Sequence, residues 1–201
     1  MALKTLVKIS GVNNLSDARY TAGMGVDFLG FNLDQDAKNY VTPEDFAAIT
    51  GWVSGVNLVG EWSNSQDYEL TTVMDQYPLD YLQLNARHAV DLAEIKLPVI
   101  IKIDQIQPTF LSETFERYKK LASYYLVESD DPVPEEVFSY CSQQAEDYPI
   151  LWGSNVTIDN LDQVLRSGFK GIALSGGTEL RPGYKDFDQL AEVLEALEID
   201  D

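Results

Sequence analysis

Eight short apolar runs, separated by longer stretches of helical character, constrain this chain more than any other feature. They are Leu6-Val7-Lys8-Ile9, Phe28-Leu29-Gly30-Phe31, Val56-Asn57-Leu58-Val59-Gly60, Tyr81-Leu82-Gln83-Leu84, Pro98 to Ile103, Tyr124-Tyr125-Leu126-Val127, Pro149-Ile150-Leu151-Trp152 and Gly171-Ile172-Ala173-Leu174. Each is only a few residues long and rich in β-branched or aromatic side chains. Strands of a parallel sheet buried on both faces have this character.

The intervals carry helix signals. Asn14-Leu15-Ser16-Asp17 supplies a cap and an acid in the first turn, and Gly23 and Gly25 can end that helix. Thr42-Pro43-Glu44-Asp45 is a second start, with Thr42 as cap and proline at the first helical position. Thr157-Ile158-Asp159-Asn160 opens another helix, and Lys185-Asp186-Phe187-Asp188 the last. Ser63 to Met74 and Thr109 to Leu121 complete the set, and the acidic tail from Glu195 to Asp201 reads as a fraying helix end. Strand–helix alternation means an α/β fold. An open doubly wound sheet is one solution. Eight units favour closure into a (β/α)8 TIM barrel, for which 201 residues is near the usual lower size of about 200. No linker or composition break divides residues 1–201, so one domain is expected.

Charge and cysteine content exclude several classes of function. Lys plus Arg number 14 against 33 Asp plus Glu, a net charge of −19. Such a surface cannot neutralise phosphates, so neither nucleic acid nor an anionic membrane is an expected partner. One cysteine (Cys141) and one histidine (His88) permit no intrachain disulfide and no thiolate–imidazole metal cluster. No metal or other cofactor is expected. The first residues lack a signal-peptide core, and no apolar run approaches the roughly 18 residues of a membrane span. The expectation is a cytoplasmic protein, monomeric or homodimeric.

In a barrel of this kind, chemistry belongs just beyond the C-terminal ends of the strands. Those positions are Ser10-Gly11, Asn32, Ser63-Asn64, Asn85, Asp104, Glu128-Ser129, Gly153-Ser154-Asn155 and Ser175-Gly176-Gly177-Thr178. The last two turns are rich in glycine and hydroxyls. Such turns after strands seven and eight can bind phosphate through backbone N–H groups, or can simply be tight connections.

A family resemblance runs through the same segments in order. Lys8-Ile9-Ser10-Gly11-Val12, Asp27-Phe28-Leu29-Gly30-Phe31, Asn39-Tyr40-Val41-Thr42-Pro43-Glu44 and Leu79 to Asn85 resemble successive motifs of phosphoribosylanthranilate isomerase, an enzyme of tryptophan biosynthesis. So do Val59 to Asn64, Pro149 to Thr157, Ser175 to Glu179 and Pro182 to Asp186. The resemblance implies a ribulose-phosphate-binding type of barrel, a phosphorylated, phosphoribosyl-type small molecule as ligand, and an Amadori rearrangement of a ribosylamine.

It also implies a cysteine general base where this chain has Ser10, and an aspartate general acid where it has Glu128. A serine hydroxyl needs another group to deprotonate it, whereas a thiol of ordinary pKa about 8.5 can be tuned to a thiolate. The implied arginine for the substrate carboxylate falls at Asn39, the implied histidine after strand four at Asn85, and the second glycine of the strand-seven turn at Ser154. Phosphate would be held by the backbone N–H groups of Gly153, Ser154, Gly176 and Gly177, with Ser175 adding a hydroxyl. The leading expectation is therefore a divergent, isomerase-like barrel with a phosphoribosyl pocket and weak or absent isomerase activity. The alternatives are a fully active isomerase, another barrel enzyme built on Ser10, Glu128 and Asp104, and a non-enzymatic binding or scaffold protein.

Overall fold

The computed structural model describes residues 2–37, 39–63, 74–87, 95–176, 178–181 and 184–199, with side chains outside 178–186. Eight parallel strands close into a barrel in sequence order. They are β1 (Leu6–Ser10), β2 (Phe28–Asn32), β3 (Asn57–Trp62), β4 (Tyr81–Asn85), β5 (Val99–Ile103), β6 (Ala122–Val127), β7 (Ile150–Trp152) and β8 (Gly171–Ser175). Closure is made by β1 and β8, paired in register from Leu6↔Gly171 to Ser10↔Ser175. Gly171 is required there: a Cβ on it would sit 2.4 Å from the carbonyl oxygen of Leu6.

The alternation of each strand divides its side chains between two cores. Phe28, Val59, Ile100, Leu126, Leu151 and Ala173 pack together as one buried cluster. Tyr81 and Tyr124 meet the Phe28 ring edge-on, at centroid distances of 5.2 and 5.6 Å. The other strand face, including Ile9, Leu29, Ile101 and Tyr125, belongs to a larger cluster completed by helix residues such as Phe46, Phe115 and Leu194.

Those helices begin largely where the caps are. In α1 (Leu15–Gly23) the Asn14 side chain accepts from the Asp17 N–H at 2.9 Å. In α2 (Pro43–Thr50) Thr42 Oγ1 accepts from the Asp45 N–H at 3.1 Å, with proline at the helix start. α3 (Pro108–Tyr118), α4 (Glu135–Gln144), α5 (Leu161–Arg166) and α6 (Asp188–Leu197) follow. Cys141 is fully buried in α4.

Three local expectations are corrected. Thr157–Asn160 is not a helix start but a turn, closed by Thr157 N–H onto Asn160 Oδ1 at 2.9 Å, and α5 begins after it. Lys185-Asp186 does not open the last helix. Residues 178–181 and 184–186 form an antiparallel hairpin, β9 (Thr178–Arg181) and β10 (Tyr184–Asp186), whose ladder takes the backbone that a helix would need. The described part of the tail, to residue 199, does not fray from its helix either. Beyond Leu197 it pairs with the start of the chain, through a Leu3↔Glu198 bridge and an Ile199 N–H to Ala2 carbonyl bond of 3.1 Å. The expected helix over 63–74 lies almost wholly outside the described residues, as does His88. Among the described residues no helix is long and apolar enough to cross a membrane.

Candidate active site

A cavity of about 440 Å³ opens at the C-terminal ends of the strands. Its lining comes from most of the barrel. Ser10 and Gly11 end β1, Glu61 and Gln83 lie on β3 and β4, Lys102 lies on β5, and Glu128 follows β6. Asn39, Ser175 and Gly176 also line it. Five of the residues expected from sequence (Ser10, Asn39, Glu128, Ser175 and Gly176) therefore share one cavity.

Asn85, Gly153 and Ser154 are not among its lining residues. Asn85 Nδ2 donates to Asp104 Oδ2 at 2.9 Å, and the other oxygen of Asp104 takes a 2.7 Å bond from Arg87. Gly153 sits against Glu128: a Cβ on Gly153 would come within 3.1 Å of the glutamate Cβ. Ser154 is buried, its hydroxyl accepting from the Ser129 N–H at 3.0 Å. Gly177 lies outside the described residues. The amide donors expected for a phosphate need correction at two positions. The Gly153 N–H donates to the Val127 carbonyl at 2.9 Å and the Gly176 N–H to the Ser10 carbonyl at 3.1 Å, so both serve the barrel's own ladder. Trp152 belongs to the outer core. It is buried on the outer side of β7, stacked on Phe169 at 5.2 Å with its indole N–H on the Ser154 carbonyl. Trp62 packs, partly buried, against the outer core rather than lining the cavity.

The charged groups of the floor are arranged in pairs. Lys8 on β1 is completely buried, and its ammonium donates to Glu61 Oε1 and, at 2.7 Å, to Ser10 Oγ. The second oxygen of Glu61 accepts from the Gly11 N–H at 3.1 Å. Glu61 thus ties β3 to the turn after β1, where Gly11 has a φ of +68° and a Cβ would press on Asn39 at 3.0 Å. Gly30 on β2 is needed for the same pair: a Cβ there would lie 2.1 Å from Glu61 Oε1.

Farther round, Lys102 and Glu128 form an ion pair at 2.5 Å. Burial works against the charge on Lys102. The carboxylates of Glu128, Glu61 and Asp104 outweigh it and leave the ammonium pKa above its ordinary value. Asn39, at the position of the implied arginine, accepts a 3.1 Å bond from Asn32 Nδ2 and offers no cation.

Lys8, Glu61, Gln83 and Lys102 were not candidates from sequence. Their signal is a polar residue inside a largely apolar strand, at or beyond its midpoint and on the inward phase. Burying such a charge without a partner is expensive, so a lysine in a closed parallel barrel implies a carboxylate opposite it.

Comparison with known proteins agrees with this architecture. A family model described as N-(5'phosphoribosyl)anthranilate (PRA) isomerase matches residues 7–196. The N-(5'-phosphoribosyl)anthranilate isomerase of Paracoccus denitrificans is 27% identical over 201 residues, covering 92% of this chain and 93% of the relative. That of Ruegeria sp. is 26% identical over 207 residues, covering 94% and 96%. Among solved structures, the phosphoribosyl anthranilate isomerase of Thermus thermophilus superposes with a TM-score of 0.77 at 23% identity, covering 96% of this chain and 98% of that one. A phosphoribosyl anthranilate isomerase in complex with reduced 1-(o-carboxyphenylamino)-1-deoxyribulose 5-phosphate reaches 0.78 at 21% identity, covering 95% and 97%. These structural likenesses show the barrel fold.

Proposed function

This chain belongs to the N-(5'-phosphoribosyl)anthranilate isomerase family, and on that premise we propose that its cavity takes a phosphoribosyl-type small molecule while isomerase turnover is residual or absent. One observation carries the second half. The two positions where the family resemblance implies a base and an acid are both held in pairs with lysines. Ser10 Oγ accepts a hydrogen bond from Lys8, and Glu128 accepts one from Lys102.

A hydroxyl whose oxygen already accepts a hydrogen bond from an ammonium is not poised to remove a proton from substrate. A carboxylate bound to an ammonium is placed as an acceptor rather than as a proton donor. Asn39 supplies no bidentate cation for a substrate carboxylate. The ligand class is supported by the family, by a protein of the same fold in complex with a reduced deoxyribulose 5-phosphate compound, and by the hydroxyl of Ser175 in the cavity lining beside the turn after β8. Ser154 and Gly177 remain the proposed backbone donors for a phosphate, with Asn85 at the edge of the site.

The deciding experiment is a direct assay on N-(5'-phosphoribosyl)anthranilate with complementation of an isomerase-deficient strain. The reading expects no growth without tryptophan. Robust growth would overturn it in favour of an active isomerase, a reading that gains from the convergence of Ser10 and Glu128 on one cavity. Binding of ribose 5-phosphate, measured by calorimetry, tests the ligand class separately.

A further inference from the structure

Gln83 lines the cavity and carries an amide oxygen that no described residue satisfies. The side chain lines the cavity and the residue is only 5% exposed. Its Oε1 is buried and has no hydrogen-bond partner among the described residues. Buried amide oxygens are nearly always bonded, and an orphan is a sign of something missing.

The surroundings say what kind of group would complete it. Gln83 lies opposite Glu61 in the β3–β4 register, and Lys102 follows on the next strand. The two lysines of this floor are already matched to carboxylates, Lys8 to Glu61 and Lys102 to Glu128. At the floor itself two cations face two anions and leave no surplus charge, and Asp130 is the one further ionic group of the described lining. A bare ammonium or phosphate at this depth would have to be desolvated against a neutral floor. A hydroxyl would not, since it can give its proton to Gln83 Oε1 and take one from a neighbouring lysine.

Resting on the phosphoribosyl reading, we infer that Gln83 is a binding residue that accepts a hydrogen bond from a ring hydroxyl of the ligand's sugar, so that the floor selects ribosyl over deoxyribosyl compounds. The strand fixes its backbone in place, and the charged groups of the floor are committed to ion pairs. A site built to bond a hydroxyl discriminates against the analogue that lacks it, because its own polar group is then stranded.

Calorimetric titration of the full chain tests this with D-ribose 5-phosphate, its 2-deoxy and 3-deoxy analogues, D-ribose and inorganic phosphate, against the wild type and Gln83→Met. One deoxy analogue is expected to bind the wild type about fivefold or more weakly than ribose 5-phosphate. In Gln83→Met, ribose 5-phosphate should fall to that analogue's level, the analogue should be unchanged, and inorganic phosphate should be unaffected. Gln83→Leu repeats the comparison if the methionine variant melts early. Equal wild-type affinity for all three phosphorylated sugars would overturn the inference and leave the oxygen to water, and so would a deoxy penalty that persists in the variants. Ribose binding as tightly as ribose 5-phosphate would instead overturn the phosphoribosyl reading, with ribose and its deoxy analogues still deciding the role of Gln83. If no sugar binds, the Gln83 inference fails whatever inorganic phosphate does.

Discussion

The ammonium of Lys8 on β1 and the carboxylate of Glu61 on β3 meet across the bare side of Gly30, the glycine of the strand between them. A methyl group on Gly30 would fall 2.1 Å from Glu61 Oε1 and 2.9 Å from Lys8 Nζ. Gly30→Ala should therefore destabilise the barrel by about 1–3 kcal/mol, the usual cost of overpacking. The effect should be much smaller in a Glu61→Ala background, where the obstructing carboxylate is gone. Urea unfolding of the two single variants and the double variant measures the coupling, and strictly additive losses would contradict the contact.

Removing one member of the same pair should cost more than removing both. Lys8→Met leaves Glu61 buried without its cation, a change that typically costs about 3–5 kcal/mol. Lys8→Met with Glu61→Leu removes both charges and should recover most of that loss. Equilibrium denaturation of the three proteins decides it, and a double variant weaker than Lys8→Met would contradict the expectation.

Lys102 gives the alkaline limit of the site. Its folded pKa is raised, because Glu128, Glu61 and Asp104 together outweigh the burial that opposes its charge. A raised folded value means that the pair's stabilisation is fully present below the unfolded lysine pKa of about 10.4 and fades as pH rises through the folded value. The stability difference between wild type and Lys102→Met should stay level from neutral pH to about 10 and narrow above it. Thermal unfolding across that range checks this, and a difference that grows with alkalinity would refute it.

Cys141 should be chemically silent in the folded protein. Burial pushes its thiol up to about 12 and the residue has no exposed surface. Reaction with a thiol-specific disulfide reagent at pH 8 is expected only at the rate of unfolding, with one equivalent titrating at once in denaturant. Prompt labelling of the native protein would show that α4 opens locally.

The barrel was legible because its strands are buried on both faces, so that Leu6 to Ile9 and Val99 to Ile103 read as apolar runs with a single lysine in each. Asn14 and Thr42 marked helix starts because a side-chain oxygen at the cap answers an orphan N–H, a local event. The hairpin of β9 and β10 was not legible. Glycine and proline around residues 176–183 announce turns without saying whether the flanking backbone pairs with itself or coils. At the site, Ser10 and Glu128 were located by the strand ends they occupy. Lys8, Glu61 and Lys102 were missed because each looks like an isolated blemish in an apolar run. Only the closed sheet brings β1 to β3 and β5 to β6, and so turns the blemishes into pairs. The use of the Gly153 and Gly176 amides in the ladder is likewise a matter of register, which a linear reading of turn composition does not contain.

The pairing of β1 with β8 has a consequence for the birth of the protein on the ribosome. The five residues of β1, made before the other barrel strands, are bonded along one side to β8, the last strand of the barrel to be made. Until β8 has been made, β1 has only β2 to pair with. Lys8, which in the finished barrel is sealed from solvent, can until then remain hydrated. Its ionic partner arrives with β3, long before the wall that encloses them both. The nascent chain is thus spared the desolvation of a lone lysine. The last seam to form, running from Leu6 to Ser10, is also the one whose delay would hold the site open.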